Sequence, residues 1–158
     1  MSDKRNWKKL VVSVAIALGA GWISTLLAPG IPEIYATLYK PPLAPQGWLF
    51  PLVWTVLYVL MGVAAGRIWQ GPAGVERSSA LLYYGIQLAV NILWPVLFFR
   101  FETYVTAFFW LALLWYLVFI TFRKFTRLDQ TAGNLLIPYL VWLVFAGYLN
   151  LAIAIAEH

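Results

Sequence analysis

The chain has 158 residues, of which 63% are hydrophobic and only 11% charged, and its formal net charge is +5. A water-soluble domain of this size cannot cover so much apolar surface, so the composition predicts an all-α integral membrane protein with lipid as its solvent. There is no cysteine and the only histidine is His158, which excludes thiolate catalysis, a Ser/His/Asp set, histidine or cysteine metal sites and bis-histidine haem.

Residues 1–9 form a short basic head with Lys4, Arg5, Lys8 and Lys9. The first apolar span, 10–28, is too long for a signal-peptide core and no small-x-small cleavage site follows, so it reads as a retained helix ended by Pro29. Residues 29–47 make one long connection holding five prolines, Tyr35, Leu38 and Tyr39. Proline fixes φ and lacks an N–H, so the stretch is predicted as an irregular, stiff loop whose aromatics pack on the bundle as a lid.

The second span, 48–68, begins with Trp48 and carries Trp54 roughly 9 Å below it at about 1.5 Å per residue. That is too deep for an interfacial anchor, so Trp54 is expected to line a cavity. A polar link at 70–79 leads to span three (80–99), a tight turn at 100–103 and span four (104–122). A basic link at 123–133 then leads to Asn134 as the expected N-cap of span five (135–156). Pro51 and Pro138 lie near helix starts, where proline does least harm.

Five spans place the termini on opposite sides of the membrane. Nine Lys and Arg fall on the side of the head and the 2–3 and 4–5 links, and only Lys40 and Arg100 on the other. The positive-inside rule therefore predicts a cytoplasmic N-terminus and an outward-facing first loop. The basic residues flank spans, so no nucleic-acid partner is expected, and there is no Gly-rich phosphate loop. All six carboxylates are assigned to loops or tails, which argues against a proton-coupled pump or a charged-ring channel.

The span interiors hold amides and aromatics instead. Gln87, Asn91, Trp94 and Phe98 share one face of span three, and Pro95 should bend that helix by leaving the Asn91 carbonyl without its partner. Tyr139, Trp142, Ala146 and Asn150 share a face of span five; Trp54, Tyr58 and Met61 share one of span two. Trp54, Asn91 and Asn150 come to roughly 9–13 Å from the outer ends of their helices. An apolar pocket with a few polar points, opening under the loop, is the functional reading. The plain alternative is that Asn91 and Asn150 only hydrogen-bond between helices, at about 1 kcal/mol or less. Trp7, Trp48 and Trp69 read as interface anchors, and Trp22, Trp110 and Trp115 as lipid-facing or packing residues. Gly62 and Gly66, four apart, could equally serve a dimer face or a close helix approach.

These residues resemble the TspO/MBR family, also called translocator proteins or peripheral benzodiazepine receptors. Lys40-Pro41 with Pro45, then Trp48-Leu-Phe-Pro51-x-x-Trp54-Thr-x-Leu-Tyr58-x-Leu-Met61, look like its first loop and second helix. Gln87-Leu-Ala-Val-Asn91-x-x-Trp94 is similar to its third helix, and Ile137-Pro138-Tyr139-Leu-x-Trp142 through Leu149-Asn150 to its fifth. The resemblance implies a five-helix bundle, often a homodimer, that binds porphyrins and other flat hydrophobic molecules under the first loop. It places Tyr35, Trp54, Asn91, Trp142, Ala146 and Asn150 at pocket positions. No resident cofactor is expected. Some bacterial members degrade protoporphyrin IX in light, with two tryptophans that match Trp54 and Trp142. The chain departs from the family at Ile34, Leu43 and Gln46, which thins the aromatic lid. The sterol motif of animal members is not matched, since no Lys or Arg follows Asn150.

The residues expected at the ligand are thus Tyr35, Trp54, Tyr58, Gln87, Asn91, Trp94, Tyr139, Trp142, Ala146 and Asn150. Three functions fit: a receptor or carrier for tetrapyrroles, a light-dependent porphyrin-degrading enzyme that uses Trp54 and Trp142, and a non-catalytic membrane scaffold. The expected setting is a bacterial inner membrane.

Overall fold

The computed structural model describes the backbone of residues 3–157 and the side chains of residues 7–157. The head's Lys4 and Arg5 side chains and the terminal His158 lie outside the described residues. Among those described, helices account for all the regular structure: α1 (Asp3–Leu27), α2 (Ile31–Thr37), α3 (Leu49–Gln70), α4 (Val75–Pro95), α5 (Tyr104–Leu128), α6 (Gln130–Leu135) and α7 (Ile137–Glu157). A π-helical turn, Val96–Arg100, continues α4. Five stretches are long and apolar enough to cross a membrane: Trp7–Leu27, Leu49–Gln70, Val75–Arg100, Tyr104–Leu128 and Gln130–Glu157. The protein is an integral, multi-pass membrane protein.

The helices pack mainly as α1 on α3, α4 on α5 and α5 on α7. Glycine sets the first of these contacts. A Cβ on Gly62 would fall 2.6 Å from the Val14 Cα, and one on Gly66 would fall 3.1 Å from the Leu10 Cα. Only bare backbone permits that approach. The Gly62–Gly66 face is therefore filled by α1 of the same chain and is not free to form a dimer. Ser24 adds a tie by donating to the Ile92 carbonyl at 3.0 Å, which joins α1 to α4.

Several boundaries differ from the sequence reading. The long first connection is not all irregular, because α2 forms within it. Gly30, at φ 79°, turns the chain out of α1, and Pro32 sits in the first turn of α2, where its missing N–H costs nothing. The 70–79 link shrinks to residues 71–74, because α4 already begins at Val75. Most of the basic link is helical too. The N-cap there is Asp129, not Asn134: extended at φ −158°, Asp129 accepts from the Thr131 and Ala132 amides. The Asn134 side chain instead accepts from Gln130 at 2.9 Å. Glu33, Glu76 and Glu157 are consequently in helix end turns rather than loops. The proline-induced irregularity follows Pro95 as the π turn, which closes with the Phe101 amide on the Val96 carbonyl at 3.0 Å. Its extra residue per turn narrows the angle between successive side chains, and the sequence neighbours Phe98 and Phe99 are both buried.

Candidate functional site

A cavity of about 430 Å³ lies in the half of the bundle beneath the first connection. This volume is in the range of small-molecule sites, roughly 300–1,000 Å³. Its walls are built by spacing. On α3, Phe50, Trp54 and Tyr58 recur every four residues and present one aromatic stripe. On α7, Trp142, Ala146, Leu149, Asn150 and Ile153, three or four residues apart along one face, present a mostly aliphatic stripe. The α4 wall is Asn91, Trp94 and Pro95, continued by Phe98 and Phe99 of the π turn. Leu111 and Leu114 close the α5 side, and α1 contributes the small residues Gly21, Ser24 and Ala28, which leave room.

The aromatic walls meet edge to face. The Trp54 and Trp142 rings are 6.5 Å apart at 88°, Phe50 meets Trp142 at 5.9 Å, and Tyr35 meets Phe50 at 5.0 Å. Such geometry suits the ring quadrupoles. No Asp, Glu, Lys, Arg or His lines the cavity among the described residues. The surface offered to a ligand is aromatic, aliphatic and uncharged.

Residues 38–48 form a strap that is tied down at several points. Tyr35 donates to the Pro45 carbonyl at 2.6 Å, and Tyr148 of α7 donates to the Pro42 carbonyl at 2.6 Å. The Lys40 ammonium donates to the carbonyls of Tyr35 and Leu38 and sits 4.6 Å from the Tyr35 ring centroid. Burial raises the Tyr35 phenol above its ordinary pKa. Leu43, at the tip of the strap, is 82% exposed and held at φ 72°.

Eight of the ten expected residues line this cavity: Tyr35, Trp54, Tyr58, Asn91, Trp94, Trp142, Ala146 and Asn150. Gln87 and Tyr139 do not. They lie one helical turn below its floor, each 1% exposed, in a hydrogen-bonded chain. Tyr58 donates to the Asn91 carbonyl oxygen at 2.5 Å, the Asn91 amide donates to Tyr139 Oη at 2.6 Å, and Tyr139 donates to Gln87 Oε1 at 2.8 Å. Asn150 is also engaged at both ends: it accepts from Trp94 Nε1 at 3.0 Å and donates to the Tyr104 carbonyl at 2.8 Å. The amides therefore bind helix to helix even where they face the cavity. A buried donor on the wall without a partner among the described residues is Trp142 Nε1. Phe50, Leu111, Leu114 and the small residues of α1 were not foreseen as lining. The signal for Phe50 was its place one turn before Trp54; the α5 leucines carry none that sets them apart from other apolar residues of their span.

Comparison with known proteins agrees with this geometry. Residues 12–156 match the TspO/MBR family. The chain is 34% identical over 146 residues to the tryptophan-rich protein TspO of Chlorobaculum tepidum, covering 91% of this chain and 92% of that one. It is 38% identical over 146 residues to the tryptophan-rich sensory protein of Cereibacter sphaeroides, covering 92% and 89%. It is also 38% identical over 119 residues to the translocator protein of Bos taurus, covering 73% and 70%. With a family match over nearly the whole chain, a five-span bundle and an aromatic cavity beneath a proline strap, this chain belongs to the TspO/MBR family.

Proposed function

We propose that this protein is a membrane receptor or carrier that takes a porphyrin, or another flat hydrophobic molecule, into the cavity beneath the strap. The observation that carries the reading is the uncharged hollow with Trp54 and Trp142 set edge to face on two different helices. A macrocycle there gains apolar burial and stacking against aromatic rings carried by α3 and α7. The test is a titration of the reconstituted protein with protoporphyrin IX, followed by tryptophan quenching. Trp54→Ala and Trp142→Ala should each weaken binding roughly tenfold, the loss of one large aromatic contact. Unchanged affinity in both variants would remove the site.

The paired indoles also favour a second reading, a photo-oxidative activity on the bound porphyrin. Dissolved dioxygen is the oxidant: activated by the light-excited porphyrin, it adds both its atoms across a methine bridge and opens the macrocycle, with the electron-rich indoles of the wall beside it and no acid–base help from any cavity residue. Porphyrin bleaching under illumination that Trp54→Phe abolishes would support it; a rate equal to that of porphyrin in detergent alone would end it. A cytoplasmic N-terminus in a bacterial inner membrane and a homodimeric assembly complete the proposal. Supporting the orientation, Lys9, Arg67 and Arg77 gather at one end of the bundle: Lys9 and Arg77 both donate to the Trp69 carbonyl, and Arg67 pairs with Asp129.

A further inference from the structure

A second hollow, of about 220 Å³, lies on the outer side of the α5–α7 seam, lined by Ala112 and Trp115 of α5 and by Leu143, Val144 and Gly147 of α7. Leu111 belongs to the walls of both hollows. On α7, Ala146 faces the main cavity while its neighbour Gly147 faces the outer groove. The partition between ligand cavity and lipid is thus thin here: one leucine side chain set against a small-residue turn. Hydrogen bonds frame the opening above and below. Asn150 donates to the Tyr104 carbonyl at the outer end, and Trp115 Nε1 donates to the Leu140 carbonyl at 3.2 Å at the inner end. Between Tyr104 and Trp115 the frame spans roughly 16 Å of helix.

We propose that this seam is a side door through which the cavity's ligand passes directly from the bilayer, with Leu111 as the gate. The inference rests on the ligand reading given above. A flat hydrophobic molecule partitions into lipid and reaches the groove without crossing water. The route over the top instead requires the strap to lift, which breaks the ties from Tyr35, Tyr148 and Lys40. At the seam the strap's ties stay whole: the Leu111 side chain must change rotamer and the packed helices α5 and α7 must part locally, a collective motion slower than the rotamer change itself. Ala112 and Gly147 leave clearance for a molecule moving edge-on.

The test is stopped-flow tryptophan quenching by protoporphyrin IX dissolved in vesicles that contain the protein. A Cβ on Gly147 meets nothing within 4 Å, so Gly147→Leu starts from open space and projects its larger side chain into the groove, with a melting curve to check that the variant is folded. Association and dissociation rates should fall together, roughly tenfold, while Kd stays within about twofold, because a blocked passage acts on both directions. Leu111→Ala should raise both rates. Tyr148→Phe, which frees the strap from α7, should leave them as they were. Normal binding with rates indifferent to Gly147→Leu and Leu111→Ala, or accelerated by Tyr148→Phe alone, overturns the side door and leaves the ligand reading standing. Absence of quenching in the unaltered protein, at any porphyrin concentration, overturns both.

Discussion

Tyr139→Phe separates the two roles that amides can have in this bundle. The substitution removes one hydroxyl oxygen from a site that is 1% exposed. That oxygen accepts from Asn91 at 2.6 Å and donates to Gln87 at 2.8 Å, so two buried polar atoms lose a partner. In water-soluble proteins each such orphan costs about 1–3 kcal/mol. In a bilayer the unfolded helices find other partners, and measured couplings average about 0.6 and reach about 1.7 kcal/mol per bond. The membrane values apply here, so the expected loss is about 1–3 kcal/mol in total, or roughly 3–10 °C in a melting experiment on a chain of this size. Porphyrin affinity should stay within about twofold, because Tyr139 lies below the cavity floor and the ring that packs behind Trp54 is retained. Adding Gln87→Leu should cost less than the two single changes summed, since the second removes an atom already orphaned. A Tyr139→Phe protein that melts normally but binds porphyrin tenfold more weakly would refute the assignment and make Tyr139 a ligand contact.

Gly62→Ala should destabilise by about 1–3 kcal/mol, because its Cβ meets backbone of α1 at 2.6 Å. Gly19→Ala in the same pair of helices, with nothing within 4 Å, should be neutral or stabilising by up to about 1 kcal/mol in the same melt. Burial alone would raise the Asp129 carboxyl, but the Arg67 hydrogen bond and the Ala132 and Thr131 amides outweigh it and hold the carboxyl below the usual range. Its stabilising share is therefore fully present above the ordinary carboxylate pKa and is lost as pH falls through the lowered folded value. Because the pair is partly exposed, the acid-limb loss should be under about 1 kcal/mol, and Asp129→Asn, which can still cap α6, should flatten that limb in melts from about pH 6 to pH 3. Leu43→Gly should relieve the left-handed strain at the strap tip and slow amide exchange across residues 38–48, whereas Leu43→Val should speed it.

How far the sequence led can be seen at individual positions. The five spans were legible because lipid leaves no other use for runs of about 20 apolar residues. Trp54, Asn91 and Asn150 were legible as wall residues because depth and helix face together fix a side chain's place, whereas the pairing of Trp54 with Trp142 came from the family resemblance. Gln87 and Tyr139 share those faces with true lining residues, yet they lie a turn too deep. Periodicity shows which side of a helix points inward but not the level at which a hollow ends; that level is set where Tyr58 closes on Asn91 across two helices. The helix α2 was hidden because its proline falls in a first turn that composition cannot tell from a loop. Asp129 and Asn134 are both acceptable caps by type, and only the backbone angle at 129 decides between them. The fate of the Gly62–Gly66 face depended on which partner arrived, and the spacing of two glycines does not say.

The chain of side-chain bonds from Tyr58 through Asn91 and Tyr139 to Gln87 ties α3, α4 and α7 together just beneath the hollow. It divides the work of the bundle by depth. Rigidity is anchored in this lower layer and again at Asn150 on the wall, so the apolar residues between them are released from holding the helices in register. Wall positions such as Phe50, Ala146 and Leu149 can then be exchanged to suit a different guest while the foundation stays intact. A fold arranged this way can acquire new ligand preferences in small steps, without passing through unstable intermediates.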